Sequence, residues 1–409
     1  MTRVLSKDAR LRERAQKVVP GGMWGHLNAA SLPPGFPQFY AAGEGATLVD
    51  VDGRRFVDFM CAWGPNLLGY RHPEVEEAVA RQLAAGDCLN GPGEALVELA
   101  ELFVDTVSAA DWGQYQKNGT DATTACVTIA RAGTKRRKVL VSRGAYHGAA
   151  PWCTPSLVGV TAEDRIHLIH YEYNDIESLE AAAKEAGDDL AAILVSAFKH
   201  DLAKDQELPT LEFARRIRSI CDTRSAALII DEVRSGFRLD ISGSWENLGV
   251  RPDLSAWSKA IANGYPLAAV TGADWLREAA SKVYLTGSFW CGAAAMAASV
   301  ATIGIARRDN TIGHIQALGQ LLRDGLRERA EKAGFALRQT GPVQMPLVMF
   351  ESDPDFRKGF AFCAAALDAG VFFHPKHNMF LCGAHTRNDI EKALEAADAG
   401  FAAVAGTQN

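Results

Sequence analysis

The chain of 409 residues sets 43 Lys and Arg against 49 Asp and Glu, a formal net charge of −6, and is 48% hydrophobic and 22% charged. That length exceeds one small domain and predicts two, and the apolar content excludes disorder as the main state. The acidic balance argues against a nucleic acid or an anionic membrane as partner, and no apolar run reaches the ~20 residues of a membrane span.

Residues 3–18 read as an amphipathic helix stopped at Pro20-Gly21-Gly22. The segment lacks the apolar core of a secretory signal, so a cytoplasmic protein is expected. A loop rich in Pro, Gly and aromatic residues follows to about Gly45. TLVDVDGRRFVDFM then reads as two short strands about the turn Asp52-Gly53. Helix-like stretches at 75–85, 94–108, 120–132, 176–186 and 210–223 separate the apolar runs KVLVS, IHLIHY, AAILVSA and AALIIDEV. Strand runs bounded by helices imply parallel βαβ units and a doubly wound α/β sheet. From about 303 the texture changes: helices near 310–333, 354–369 and 387–405 flank the runs LVMFE and MFLCG, a smaller α+β unit. The expected division is an N-terminal segment 1–53 that joins the small domain, a large domain 54–302 and a C-terminal domain 303–409. The eight cysteines, Cys61, Cys88, Cys126, Cys153, Cys221, Cys291, Cys363 and Cys382, form no CxxC pair. Their scatter predicts buried, reduced thiols and no zinc site.

The strongest local signal is AALIIDEV. Four apolar residues before a carboxylate place Asp231 at the C-terminal edge of a buried parallel strand, where ligands bind in open α/β sheets. In DLSAWSKAIANGYP, Lys259 stands among small apolar neighbours. Such surroundings depress an ammonium's pKa and favour the neutral amine that a Schiff base requires. A strand-end Asp with such a Lys is the pyridoxal phosphate arrangement: the Lys bonds the cofactor and the Asp keeps its pyridinium nitrogen protonated. A phosphate site should accompany the pair. Asn118-Gly119-Thr120 is a turn that opens a helical run, so free N–H groups and the positive end of the helix dipole face an anion there. GAYHG at 144–148 follows the strand KVLVS and offers Tyr146 to lie flat on a planar ring; turn-edge packing is the alternative for Tyr146 and His147.

The order NGTDA, AYHGA, IIDEVRSGFR and WSKAIANGYP resembles the class III, fold-type I pyridoxal phosphate aminotransferases, and within them the glutamate-1-semialdehyde 2,1-aminomutase branch. PGG at 20–22, DFMCAWGPNLLGYRHPEV at 58–75 and AHTRNDIEKALEAA at 384–397 extend the similarity to nearly the whole chain. The resemblance implies a large domain with a mostly parallel sheet covered by helices, and a smaller α+β domain built from both termini. It implies Lys259 as the Schiff-base lysine and proton-transfer base, Asp231 on the pyridine nitrogen, Val233 under the ring and Tyr146 on its opposite face. Gly119 and Thr120 would bind the phosphate, and Trp63 would line the substrate side. It also implies a homodimer with interfacial active sites, in which a hydroxyl from the partner subunit completes the phosphate site. Ser288, in TGSFWCGAAAMAA, aligns best with that hydroxyl and Thr286 second.

Four departures separate this chain from the aminomutases. Ser196 and Ala197 replace the Glu-Pro of the strand before Asp231. Asn28 replaces an arginine that follows PGG. The loop after AYHG is short. FFHPKHN replaces a Gln-Phe-Glu stretch, which makes Lys376, His377 and Asn378 candidates for substrate contact. Arg234 is a candidate for a substrate carboxylate, and Arg238 is expected in a structural ion pair. The sequence therefore predicts an aminotransferase that moves an amino group between an amine or amino acid and a keto acid or aldehyde in two half-reactions. The rivals are an aminomutase or amino-acid racemase on the same scaffold and, in another class, a non-catalytic pyridoxal-phosphate sensor.

Overall fold

The computed structural model describes residues 5–406. Helix α1 (Lys7–Val18) starts at Ser6, whose hydroxyl accepts from the Ala9 amide at 3.1 Å; residues 3 and 4 of the expected helix lie outside the described residues. Strands β1 (Tyr40–Glu44), β2 (Thr47–Asp50) and β3 (Arg55–Asp58) form an antiparallel meander, and β2 and β3 turn at Gly53 with φ +86°. β1 carries no sequence signal, because YAAGE is largely exposed and has no apolar alternation. Helices α2 (Pro73–Ala85) and α3 (Ala95–Thr106) follow, α2 with Pro73 in its first turn.

The principal sheet has seven strands. In chain order the elements are β4 (Trp112–Gln116), α4 (Gly119–Thr134), β5 (Lys138–Ser142), β6 (Leu168–Tyr171), α5 (Ile176–Ala186), β7 (Leu190–Ser196), α6 (Leu211–Arg224), β8 (Ala227–Asp231), β9 (Leu254–Trp257) and β10 (Ala268–Gly272). Across the sheet the order is β4-β10-β9-β8-β7-β5-β6. Every pair from β9 to β6 is parallel, and β10 runs antiparallel to both β9 and β4. Helices cover both faces. Leu140, Ile193, Val195, Leu228 and Ile230 pack with Leu179 of α5 and Phe213 and Ile217 of α6. Val139, Leu194 and Ile229 pack with Ala125, Cys126 and Ile129 of α4. Burial on both faces is why β7 and β8 read as unbroken apolar runs.

After α7 (Arg277–Lys282) and the alanine-rich α8 (Ala293–Arg308) come α9 (Thr311–Lys332), β11 (Leu337–Thr340), β12 (Leu347–Phe350), α10 (Arg357–Asp368), β13 (Val371–Phe372) and α11 (Arg387–Gly406). β13 pairs in parallel with β3, Val371 opposite Val57, so the N-terminal meander and the C-terminal segment share one sheet. The expected boundary at residue 53 falls inside the β2–β3 turn, and 54–58 side with the N-terminal segment. MFLCG, expected as a strand, pairs with no strand among the described residues. Its amides reach loop carbonyls instead, Met379 to Pro346 at 2.8 Å and Phe380 to Phe59 at 2.7 Å. No helix among the described residues is long and apolar enough to cross a membrane.

Candidate active site

Asp231 ends β8 in register with Ser196 of β7, both buried at the C-terminal edge of the sheet. Its carboxylate is held at both oxygens: the His147 Nδ1–H donates to Oδ2 at 2.7 Å and the Val233 amide to Oδ1 at 3.0 Å. His147 arrives from the loop after β5, is 4% exposed, and anchors that loop through its carbonyl, which accepts from the Thr123 hydroxyl of α4 at 2.7 Å. The sequence offered His147 no part in the site. Its role depends on β5 and β8 lying on either side of β7, which spacing along the chain does not reveal.

Asp231 and Lys259 line one cavity of about 210 Å³, with Asn118, Gly119, Thr120, Tyr146, His147, Gly148, His200, Val233 and Arg234. The volume is below the ~300 Å³ at which drug-sized pockets begin, so it suits a compact ligand. Lys259 opens a short 3₁₀ turn with φ +51°, a sparsely populated backbone for a non-glycine residue. Burial, reinforced by the Arg234 guanidinium, pushes its ammonium down to about 7. The amine is thus about half neutral at pH 7 and mostly neutral above it.

The floor is set by α4. Its first turn points unpaired N–H groups along the helix axis. Asp121 closes the cap by accepting from the Asn118 amide at 3.1 Å. A Cβ at Gly119 would stand 2.6 Å from Val233 Cγ1, and one at Gly148, where φ is +127°, 2.5 Å from the Thr120 hydroxyl. The two glycines let three chain segments close around the cavity. This set matches pyridoxal phosphate: amides of a helix N-terminus for the phosphate, Asp231 for a ring nitrogen, Val233 and Tyr146 for ring faces, and an amine for the aldehyde.

Around this core, Tyr146 is half-exposed, and burial raises its phenol above the usual range. Arg234 donates to the amide oxygen of Asn378; its Nε has no partner, and burial pushes its guanidinium down to about 10. Trp63 meets His26, His374 and His377 edge-on, with ring centroids 4.6, 5.4 and 5.0 Å away. Three expectations change. Arg238 forms no ion pair among the described residues; fully buried, it donates to the carbonyls of Leu381 at 2.6 Å and Gly64 at 2.7 Å and lies over Phe380. Lys376 turns its ammonium onto the rings of Phe356 and Phe360, away from the cavity. The thiols are free but not all buried, since Cys88 and Cys291 are exposed; Cys61, Cys382 and His385 cluster with donor atoms within 4.8 Å of one another. Ser288 and Thr286 are both exposed and do not line this chain's cavity.

The mixed sheet wound by helices on both faces, with a lysine amine and a braced aspartate at its C-terminal edge, defines a fold-type I pyridoxal phosphate transaminase. Residues 31–383 match the family described as Aminotransferase class-III, and the chain belongs to it. It is 48% identical over 394 residues to the aminopentol aminotransferase of Sphingopyxis macrogoltabida, covering 96% of this chain and 93% of that one. It is 32% identical over 421 residues to the glutamate-1-semialdehyde 2,1-aminomutase of Chloroherpeton thalassium, covering 96% and 97%. Among solved structures it resembles the PLP form of the FumI protein from Sphingopyxis sp. MTA144, with a TM-score of 0.97 and 48% identity over 98% and 97% of the two chains. It also resembles an omega-transaminase from Sphaerobacter thermophilus, with a TM-score of 0.88 and 26% identity over 99% of each. The protein is a PLP-dependent aminotransferase, and pyridoxal 5′-phosphate is its cofactor.

Proposed function

We propose that this enzyme takes the amino group of a hydroxylated primary amine and passes it to an α-keto acid, with Lys259 as its proton carrier. The observation that carries the reading is the single small cavity in which the depressed lysine amine faces the Asp231–His147 pair. The bound cofactor supplies the carbonyl that receives the amino group and a protonated ring that draws electrons from the reacting carbon. An amine that titrates near 7 can both take and return a proton at neutral pH, as general acid–base catalysis requires. Asp231 would accept from the ring nitrogen, Gly119 and Thr120 would hold the phosphate, and Val233 and Tyr146 would confine the ring. The donor class is taken from the relative whose name denotes an amino-pentol. Arg234, a buried cation with no ion pair among the described residues, supports a carboxylate-bearing acceptor.

In this reading the enzyme is a cytoplasmic homodimer, and the partner's Ser288 completes the phosphate site. The large domain spans 59–302 and the small one combines 5–58 with 303–406, β3 pairing with both β2 and β13. The aminomutase reading has less support. Where aminomutases carry an arginine, Asn28 spends its amide on the backbone, donating to the Met23 carbonyl at 3.1 Å and accepting from the Ala30 amide at 3.0 Å. It offers a substrate carboxylate no charge. Turnover should therefore require both an amine and an added keto acid. Sustained conversion of glutamate-1-semialdehyde to 5-aminolevulinate without an added acceptor would place the enzyme with the isomerases.

A further inference from the structure

The turn after β3, which packs against Lys259 through Gly64, holds an arrangement that amino transfer itself does not use. Trp63 closes a turn in which three successive non-glycine residues are left-handed, Cys61 at φ +46°, Ala62 at +54° and Trp63 at +68°. Such a run persists only where its surroundings hold it. Here the Asp58 carboxylate accepts from the Met60 and Cys61 amides at 2.8 and 2.9 Å, and Arg238 takes the Gly64 carbonyl. The turn sits against the reacting amine, since a Cβ on Gly64 would lie 3.5 Å from Lys259 Cδ. It delivers the indole into the edges of His26, His374 and His377.

Hydrogen bonds fix the tautomers of two of these rings. His374 Nδ1 lies 3.1 Å from the Lys376 amide and 2.9 Å from the His377 amide, both donors, so its own proton is on Nε2. His377 Nδ1 lies 2.6 Å from the Asn378 carbonyl, which can only accept, so Nδ1 carries the proton and Nε2 is a bare acceptor. Neither Nε2 makes a hydrogen bond among the described residues. Burial keeps both rings neutral, His374 lowered to about 4 and His377 well below its ordinary value, and the Arg234 and Lys259 charges push His377 the same way.

A neutral donor and a neutral acceptor are therefore carried by two rings that meet one indole, 5.4 and 5.0 Å from it and 5.9 Å from each other. An alkyl chain would leave both polar atoms unpaired, and a charged group would find no counter-ion on either ring. A hydroxyl gives one hydrogen bond and takes one. We propose that His374 and His377, with Trp63 as the apolar wall, form a subsite that reads a hydroxyl on the donor's carbon chain. This rests on the amine-donor reading above and names the residues that would select a hydroxylated amine over a plain one.

The test compares 2-aminooctane with its 3-, 4- and 5-hydroxy derivatives as donors to the holoenzyme, pyruvate being the acceptor. Each variant is scored by the ratio of kcat/KM between a hydroxylated amine and 2-aminooctane. At least one hydroxylated amine should lead by about fivefold or more, the scale of one net hydrogen bond. That lead should collapse in His377→Phe and return in part in His377→Gln, which restores an acceptor. If no hydroxylated amine is preferred, or if the preference survives His377→Phe, the subsite is overturned. If none of the four amines reacts while amino acids do, the amine-donor reading fails and the subsite falls with it.

Discussion

Lys259 and Asp231 make opposite demands of one cavity: the lysine must shed its charge and the aspartate must keep its own. Burial and Arg234 serve the first, and the His147 and Val233 N–H groups give each oxygen of the second a donor. The lysine supplies a test with a definite sign. With its ammonium titrating at about 7, about a tenth of the amine is neutral at pH 6 and about nine tenths at pH 8. Borohydride trapping of pyridoxal phosphate on the apoprotein should therefore rise through pH 7 and level off above 8, and peptide mapping should find the adduct on Lys259. A yield still climbing at pH 10, or an adduct elsewhere, contradicts the assignment. Asp231→Asn should keep the fold and lower turnover by ~2 or more orders of magnitude, the scale of a removed electrostatic stabiliser. Near-normal turnover would show that another group holds the ring nitrogen. Both residues were legible in the sequence because each sits in a distinctive local run, IIDEV and WSKAIANG. His147, His26 and His374 were not, since their partners come from distant segments, whereas His377 stood out only as part of the FFHPKHN run.

Among the elements, α4 meets the β8 loop closely at Gly119. Gly119 is required by its neighbour rather than by its own backbone, because a methyl there would meet Val233 Cγ1 at 2.6 Å and Cγ2 at 3.1 Å but Val233 Cβ only at 3.5 Å. Gly119→Ala should thus lift the first turn of α4 off the cavity and weaken cofactor retention by ~10-fold or more. Val233→Ala in the same chain should restore most of it, because the remaining contact is ordinary van der Waals distance. Equilibrium dialysis of the single and double variants decides, and the absence of rescue would mean that Gly119 matters for a reason other than Val233. The same packing logic explains which strands were legible. β7 and β8 are buried on both faces by large aliphatic residues and announce themselves as LAAILVS and ALIID. β10, AAVTG, is equally buried but built from small residues, because a Cβ on Gly272 would lie 2.1 Å from the Trp112 ring of β4. β4, WGQYQ, carries polar side chains into the sheet. Neither presents an apolar run, so spacing alone could not find them.

The whole molecule is where Ser288 has to be understood. It is exposed in this chain, yet its segment ends near the start of α4: a Cβ on Gly292 would lie 3.2 Å from the Nζ of Lys117, one residue before the cap of α4. Leu89, Tyr284 and Phe289 are 56%, 91% and 69% exposed, large apolar side chains that a partner could cover. In the proposed homodimer, the partner's 284–291 segment is the one that would reach this chain's phosphate site. Ser288→Ala should then weaken cofactor retention by ~1–2 kcal/mol, about 5- to 30-fold, while the residues lining the mutated chain's own cavity stay unchanged. Hybrids distinguish the two geometries. In a mixed dimer of Lys259→Ala and Ser288→Ala chains, a partner-supplied hydroxyl leaves one site with both defects and one with neither. The intact site should bind cofactor like the wild type and work at half the activity per dimer. If the serine served its own chain, every site would carry one defect, and the hybrids would regain neither affinity nor turnover over the Ser288→Ala parent.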